Sequence, residues 1–503
     1  METELKFALS PDARRRIEQH AGHHVLAGEQ GSTHNDQTTY FDTPDQALRK
    51  AGFTLRIRHR REANSYIQNV KASGGNNGAF SRREWEWPVK SDRLETDHLA
   101  EVPGLPPLLH GDAASLSPLF RTEVERRQRI LVPAPGVEVE MALDDGVVVA
   151  GNHSEPLSEL ELELKKGSDE ALFRLGLDFL QAAPLSLLVE SKAERGYHLH
   201  DGSRPQARKA RRIELAPDMG VHQAFRTLGA GVIGDLLANQ PAALRGEEQE
   251  GVHQMRVGIR RLRSLLVLFE RFLEPHVSDR FDAELRRLGQ VLGVARDWDV
   301  FLGEMLPRAV REGADLEWIE PLRAAALHKQ HAAHQAAKKA IGEPAFTRFV
   351  LAFQAWSGSG DATLPHRLID RSLGDLAPRL LDRVARKVSK RLGQSDPDDP
   401  ESLHDLRKSA KKLRYAIQYL EDLYGKKARR YYKRCDRLQT RLGEINDLDT
   451  LTRLAADLTQ DGRLDLAPAL GLLANLGETM TARELKGLDK LLARFEREEP
   501  FWR

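Results

Sequence analysis

Residues Ser158-Glu-Leu-Glu-Leu-Glu-Leu-Lys165 alternate charge and leucine without a break. Successive side chains on a β-strand point to opposite faces. One face of this strand therefore carries Glu159, Glu161, Glu163 and Lys165, and the other carries Leu160, Leu162 and Leu164. The pattern recurs. In Glu2–Phe7, Glu2, Glu4 and Lys6 oppose Leu5 and Phe7, and in Leu55–Arg60 arginines take the alternate positions. Arg82, Glu84 and Glu86 share a face; Glu138, Glu140 and Asp144 oppose Val137, Val139, Met141 and Leu143. An antiparallel sheet with one face in water accounts for any one of these strands. Neighbouring strands that carry mostly Glu or mostly Arg are costly unless opposite charge lies between them.

The alternation belongs to the first part of the chain only. Candidate strands lie near 2–7, 37–42, 53–60, 66–71, 80–88, 123–132, 137–144, 147–150, 158–165 and 187–192, with helical patterns near 11–20 and 169–182. Asp144-Asp145-Gly146 reads as a hairpin turn between two of them. Gly74-Gly75-Asn76-Asn77-Gly78 reads as a loop. Residues 201–217, basic and punctuated by prolines, read as a linker. Helical periodicity then holds from 218 to about 495, broken at Ser357–Gly360 and Ser395–Pro400. A length of 503 residues leaves room for two or three domains. The single cysteine, Cys435, excludes an intrachain disulfide framework and fits a reducing compartment. No secretory signal is visible after METELKF, and no apolar run approaches the roughly 20 residues of a membrane span. The net charge is only +1, so the segregation of charge, not its sum, is informative.

The helical half repeats itself. Val252–Arg263 resembles Leu403–Arg414, and Leu292–Asp299 resembles Leu442–Asp449. Two matches at one offset indicate a tandem duplication. At about 100° per residue, His253, Arg256, Arg260 and Arg263 fall on one arc of about 80°, opposite Met255, Leu262, Leu265 and Leu266. The repeat places His404, Arg407, Lys411 and Arg414 likewise. Residues 407–434 hold eleven Lys or Arg and two acids, Glu421 and Asp422. Two such ridges facing each other make a positive groove. Asp297, Asp299, Asp447 and Asp449 are placed to orient basic side chains.

The charged strands suit phosphate chemistry. A divalent cation would satisfy the glutamates and a polyanion the arginines, so a lumen that binds a metal–polyphosphate complex satisfies both. Mg²⁺ prefers oxygen ligands and bridges carboxylates to phosphates. Arg forks match phosphate oxygens. Phosphoryl transfer needs mainly positioning and charge stabilisation. No P-loop motif is present.

Glu2-x-Glu4-x-Lys6 is similar to the ExExK signature of the CYTH, or triphosphate tunnel metalloenzyme, superfamily. The resemblance continues in order through Tyr40-Phe-Asp-Thr-Pro44, Leu55-Arg-Ile-Arg58, Lys71, Arg82-x-Glu84, Arg126, Asp144, the ELELELK strand and Ser191–Tyr197. It covers residues 1–200. It implies an eight-stranded antiparallel tunnel that binds triphosphate and a divalent metal, Mg²⁺ or Mn²⁺. By resemblance, Lys6, Arg56, Arg58, Lys71, Arg82, Arg126 and Lys192 hold phosphates. Glu2, Glu4, Asp144, Glu161 and Glu163 hold metal, and Glu2, Glu4 and Lys6 form the catalytic signature. Arg127 is an alternative to Arg126, and Glu159 to either of its neighbours on the same face.

The duplicated H-x-x-R-x-x-x-[RK]-x-x-R segments resemble the CHAD domain, over 218–495. CHAD domains are linked to inorganic polyphosphate, which implies His253, Arg256, Arg260, Arg263, His404, Arg407, Lys411 and Arg414 as its binders. The expected fold is thus α+β and multidomain: a tunnel at 1–200, a linker at 201–217 and an all-α duplicated bundle at 218–495. The order of motifs most resembles bacterial inorganic triphosphatases. The implied activity is hydrolysis of tripolyphosphate to diphosphate and phosphate. The alternatives are a thiamine or nucleoside triphosphatase, or a non-catalytic polyphosphate-binding protein. The expected setting is cytoplasmic, polyphosphate granules included, with no membrane. Aromatic content of 6% and no aromatic-interleaved basic stripe argue against nucleic acid as partner.

Overall fold

The computed structural model describes residues 2–25, 31–72, 80–105, 116–246, 249–311, 316–362, 371–459 and 467–503. The loop expected at Gly74–Gly78 lies outside the described residues. The alternating segments form strands β1 (Glu2–Ala8), β2 (Ser32–Asp42), β3 (Phe53–Arg60), β4 (Ser65–Ala72), β5 (Ser81–Val89), β6 (Ser117–Ala134), β7 (Val137–Ala150) and β8 (His153–Lys166). They pair in the order β5-β4-β3-β2-β6-β7-β8-β1, and β1 pairs back with β5, Glu2 opposite Arg82. The ring of eight antiparallel strands is closed. A short β9 (Ser186–Leu187) adds to β1.

Closure turns alternate side chains into a lumen, and here the usual polarity is reversed. Leu5, Phe7, Leu160 and Leu162 are fully buried on the outer side, each contributing about 1.5–3 kcal/mol of apolar burial. Helix α3 (Asp169–Ala182), capped by Ser168, lies over them, and Phe346–Leu351 of a later helix lies over α3. Gly176 permits that fit: an added Cβ would come within 2.9 Å of Leu5 and 3.0 Å of Leu351. Helix α1 (Pro11–Ala21) buries Ala13, Ile17 and Ala21. Two short helices complete the wall: α2 (Ala47–Lys50), and α4 (Lys192–Asp201) capped by Ser191.

Two expectations are corrected. Asp144-Asp145-Gly146 is no hairpin, because β7 runs straight through it. The turns lie instead at Gly136 and Gly151, whose φ values of +80° and +56° only glycine adopts readily. Gly146 serves another purpose: a Cβ there would lie 1.9 Å from the Glu123 carbonyl oxygen on β6. The strand expected at 187–192 ends at Leu187, since Ser191 starts a helix by accepting from the Glu194 N–H.

The helices of the second half are α5 (Val221–Arg245), α6 (Glu250–Phe269), α7 (Pro275–Val300), α8 (Leu306–Arg311), α9 (Leu316–Gly342), α10 (Pro344–Gly358), α11 (Leu373–Leu392), α12 (Pro400–Tyr419), α13 (Glu421–Tyr424), α14 (Lys426–Thr459), α15 (Ala467–Leu485) and α16 (Leu488–Glu496). Helices α5, α6, α7 and α9 begin at 221, 250, 275 and 316, and α11, α12, α14 and α15 at 373, 400, 426 and 467. Each pair is displaced by 150–152 residues, so the duplication extends to four helices. Residues 203–216 have no helix or strand, and Leu215 among them is buried. The chain divides into two compact units, one of 1–209, 233–251 and 341–359, the other of 210–232, 252–340 and 360–503. No helix of the described residues is long and apolar enough to cross a membrane.

Candidate functional site

The lumen holds a cavity of about 280 Å³. Glu2, Glu4, Lys6, Arg56, Arg58, Lys71, Arg82, Arg126, Asp144, Glu161, Glu163 and Lys192 all line it. Eleven arrive on seven strands by two-residue alternation. Lys192 arrives differently, from the first turn of α4. Arg126 faces inward. Arg127 is half exposed and pairs with Glu125 and Glu18. Glu163 reaches the cavity. Glu159 is buried behind it, against Arg195 at 3.0 Å and Lys192 at 2.8 Å.

Several lining residues were not assigned from sequence: Asp36, Arg60, Glu84, Glu86, Gln128, Glu140 and Lys165. The signal was available for most of them. Glu84 and Glu86 share the face of Arg82, Arg60 that of Arg58, and Glu140 that of Asp144. Asp36 precedes the expected start of its strand.

Among the described lining residues, nine are Asp or Glu and nine are Lys or Arg. Most of them pair in several ion-pair clusters. Lys6 lies 3.0 Å from Glu161 and 3.4 Å from Glu4. Lys71 lies 3.0 Å from both Glu2 and Glu84. Arg56 and Arg58 approach Glu84 and Glu86 at 3.6 and 3.3 Å. Arg126 bonds Asp144 and Glu161, and Lys192 reaches Asp144, Glu159 and Glu161 at 2.7–2.8 Å.

Burial makes these contacts decide protonation. Burial alone would lower Lys192, yet Asp144, Glu159 and Glu161 hold it well above the ordinary lysine range. Glu161 is buried too, and Lys192, Lys6 and Arg126 hold it well below the carboxylate range. Glu2 behaves oppositely. Burial, then a hydrogen bond shared with Glu84, pushes it up to about 8. Burial also raises Glu163, against the pull of Lys165.

The donor set fits a hard divalent cation. Every acidic group in the lumen offers carboxylate oxygen, the ligand Mg²⁺ and Mn²⁺ prefer. Asp144, Glu159 and Glu161 each present an oxygen within 4.8 Å of the others. Glu2 and Glu84, both 3.0 Å from Lys71, mark a second place where two carboxylates crowd and a cation would relieve them.

In the helical unit, the two basic ridges converge. The charges that act on Lys411 are those of Arg260, Arg407, Arg256 and Arg414. Burial, then these four cations, push Lys411 down to about 6. The repeats match in detail: the Arg256 guanidinium passes 3.6 Å from where a Cβ on Gly293 would stand, and Arg407 passes 3.7 Å from the same place on Gly443. Asp297 accepts from Arg256 at 3.1 Å. Asp299 is buried and accepts from Gln330 at 2.9 Å and bonds His334 at 2.8 Å. The side chains of Asp447 and Asp449 lie outside the described residues. Arg263 is turned to Asp282 at 2.8 Å. His404, exposed, bonds Asn446, and His253 is half buried on the matching turn of α6.

A closed tunnel with a cation-and-carboxylate lumen, followed by a duplicated helical domain, defines the class. The CYTH domain family matches residues 1–197 and the CHAD domain family matches residues 229–456. The chain is a CYTH domain joined to a CHAD domain. An inorganic triphosphatase of Haemophilus influenzae is 32% identical over 203 residues, which is 39% of this chain and 54% of that relative. The chain thus matches about half of that relative's length. An uncharacterized protein of Mycobacterium tuberculosis is 26% identical over 425 residues, 78% of this chain and 77% of its own. The crystal structure of the CHAD domain from Ricinus communis aligns with a TM-score of 0.51 and 30% identity, over 57% of this chain and 96% of that one.

Proposed function

We propose that this chain is a metal-dependent triphosphatase that hydrolyses inorganic tripolyphosphate to diphosphate and phosphate in the cytoplasm. The observation that carries the reading is the charge balance of the lumen, nine cations against nine carboxylates. A bare polyanion would gain little net attraction from it. A polyanion that arrives with a divalent cation is complementary to both halves.

In this reading Lys6, Arg56, Arg58, Lys71, Arg82, Arg126 and Lys192 exchange their carboxylate partners for phosphate oxygens. The exchange leaves Glu2, Glu4, Asp144, Glu161 and Glu163 to hold Mg²⁺ or Mn²⁺. Bound there, the metal supplies charge neutralisation at the phosphates and a more acidic water. The arginine forks hold the chain of phosphates in one register, so that the terminal phosphorus meets the water in line. Lys192 and Arg126 stay charged throughout, since phosphate oxygens take over from the carboxylates as counter-charge, and stabilise the charge on the departing diphosphate. A lumen carboxylate accepts the proton of the attacking water.

The wall favours an inorganic substrate over an organic one. Val124 and Ala193 are the aliphatic residues among those lining the cavity, and Tyr40 is the aromatic one. The Tyr40 ring is already stacked on Phe120 at 4.7 Å. A base or thiazole would find no apolar platform of the kind organic ligands use.

The tunnel at 1–200 is then the catalytic domain, and the bundle at 218–495, reached through 201–217, binds polyphosphate. His253, Arg256, Arg260, Arg263, His404, Arg407, Lys411 and Arg414 are its binders in this reading. The crowding of unlike-repeat cations around Lys411 supports it, because a polyanion relieves their mutual repulsion.

The test is phosphate release from tripolyphosphate, ATP and thiamine triphosphate at equal concentration with Mg²⁺. Preference for tripolyphosphate by at least about tenfold in kcat/KM is expected. Preference for either organic triphosphate would assign the tunnel to that substrate instead.

A further inference from the structure

We infer that His20, His24 and Asp178 form a second metal site on the outer wall of the tunnel, for a transition-metal cation of the Zn²⁺ class. His20 lies in the last turn of α1, and His24 one turn further on, at the end of a short 3₁₀ segment, Gly22–His24. That spacing puts both imidazoles on one side of the helix. Asp178 comes from α3. The His20 Nε2 lies 2.6 Å and the His24 Nε2 2.9 Å from the same Asp178 oxygen, Oδ2. One donor atom of each residue lies within 4.8 Å of the other two.

The bland reading is a pair of hydrogen bonds that staple α1 to α3. Two features point beyond it. Both rings converge on a single carboxylate oxygen, so one ligand atom from each of the three residues is already gathered in one place. The rings are also held in place: His20 meets the Phe179 ring edge-on at 5.5 Å, and the His24 ring lies 6.1 Å from it. Opening each contact by about half an ångström admits a metal at ordinary Zn–N and Zn–O distances. The three side chains are 22%, 19% and 37% exposed, so a metal can enter and a water can complete four-coordination.

The site is chemically distinct from the lumen. None of the three residues lines the cavity. Imidazole nitrogens select Zn²⁺, Cu²⁺ or Ni²⁺ over Mg²⁺, whereas the all-carboxylate lumen suits the hard cations. A metal here would cross-link the two helices and stabilise the fold by mass action. The inference does not depend on the triphosphatase reading.

The experiment uses the full chain, stripped of metal by a chelator and then held in excess Mg²⁺. Zn²⁺ is titrated by calorimetry, and Co²⁺ by its visible absorption. One equivalent of Zn²⁺ is expected, with an intense Co²⁺ spectrum of tetrahedral nitrogen-containing coordination. His24→Ala and Asp178→Asn should each weaken binding by at least about tenfold, and His23→Ala should not change it. Zn²⁺ should raise the melting temperature of the wild type and not of His24→Ala, whose metal-free melting curve reports its folding. Binding that is equal in wild type and both ligand variants would overturn the site. So would the absence of Zn²⁺ binding to the wild type, or a weak octahedral Co²⁺ spectrum.

Discussion

Arg126 holds Asp144 with both arms of its fork: Nε donates to Oδ1 at 2.8 Å and an Nη to Oδ2 at 2.6 Å. Asp144 is fully buried, and Lys192 shares its Oδ2 at 2.8 Å. This pair joins the two halves of the lumen's chemistry, because one partner is a proposed phosphate binder and the other a proposed metal ligand.

Asp144→Asn keeps the shape and removes the charge. It should lower kcat/KM for tripolyphosphate by about 10²–10³. Leaving Arg126 and Lys192 short of a buried counter-charge should also cost about 3–5 kcal/mol of stability. Steady-state kinetics and urea unfolding read the two effects. Activity within twofold of wild type would remove Asp144 from the site.

Glu2 sets a pH dependence. Burial and the hydrogen bond with Glu84 raise its pKa from the ordinary 4.5 to about 8. In that window the folded state carries a proton that the unfolded chain has released. The metal-free protein should therefore lose stability as pH rises from 4.5 to 8. A metal must displace that proton, so Mg²⁺ affinity should rise over the same window and level off above 8. Melting curves and Mg²⁺ titrations from pH 5 to about 9 check both slopes. Glu2→Gln should flatten them.

Lys411 predicts proton uptake on polyanion binding. Burial and its four arginine neighbours hold it down to about 6, so above pH 6 it is largely neutral in the free protein. Bound phosphates would raise it toward the ordinary 10.5. Polyphosphate affinity should therefore fall as pH rises above 6. Calorimetry in buffers of different ionisation heat should show an uptake approaching one proton at pH 7–8. Lys411→Met should abolish the uptake.

Gly146→Ala should be among the most damaging small substitutions in the tunnel. The added methyl would meet the Glu123 carbonyl, which is backbone and cannot swing aside. Separating β6 from β7 should cost about 1–3 kcal/mol, read in the urea midpoint. An unchanged midpoint would show that the strands slide without penalty.

The strands of the tunnel were legible because a period of two separates charge from leucine in β1, β3 and β8. The same alternation placed Glu2, Glu4, Lys6, Arg56, Arg58, Arg82, Asp144, Glu161 and Glu163 on charged faces, whereas Lys71, Arg126 and Lys192 came from the family resemblance. Three features were not legible. The Asp144-Asp145-Gly146 run looks like a turn, but its glycine answers a close approach from β6, which only the folded sheet reveals. Arg126 and Arg127 are adjacent, and register alone decides which faces inward. Glu159 and Glu163 share one face of one strand, yet closure of the ring against α4 buries the first and exposes the second to the cavity. In the helical half the repeated motifs were visible, while their convergence around Lys411 required tertiary packing.

The most direct measurement is phosphate release from tripolyphosphate by wild type and Glu4→Gln, with and without Mg²⁺, and with polyphosphate binding followed in parallel. The account predicts turnover that requires Mg²⁺ and is lost in Glu4→Gln, while both proteins bind polyphosphate alike. Binding of polyphosphate with no turnover of tripolyphosphate under any metal would contradict it and make the tunnel a receptor.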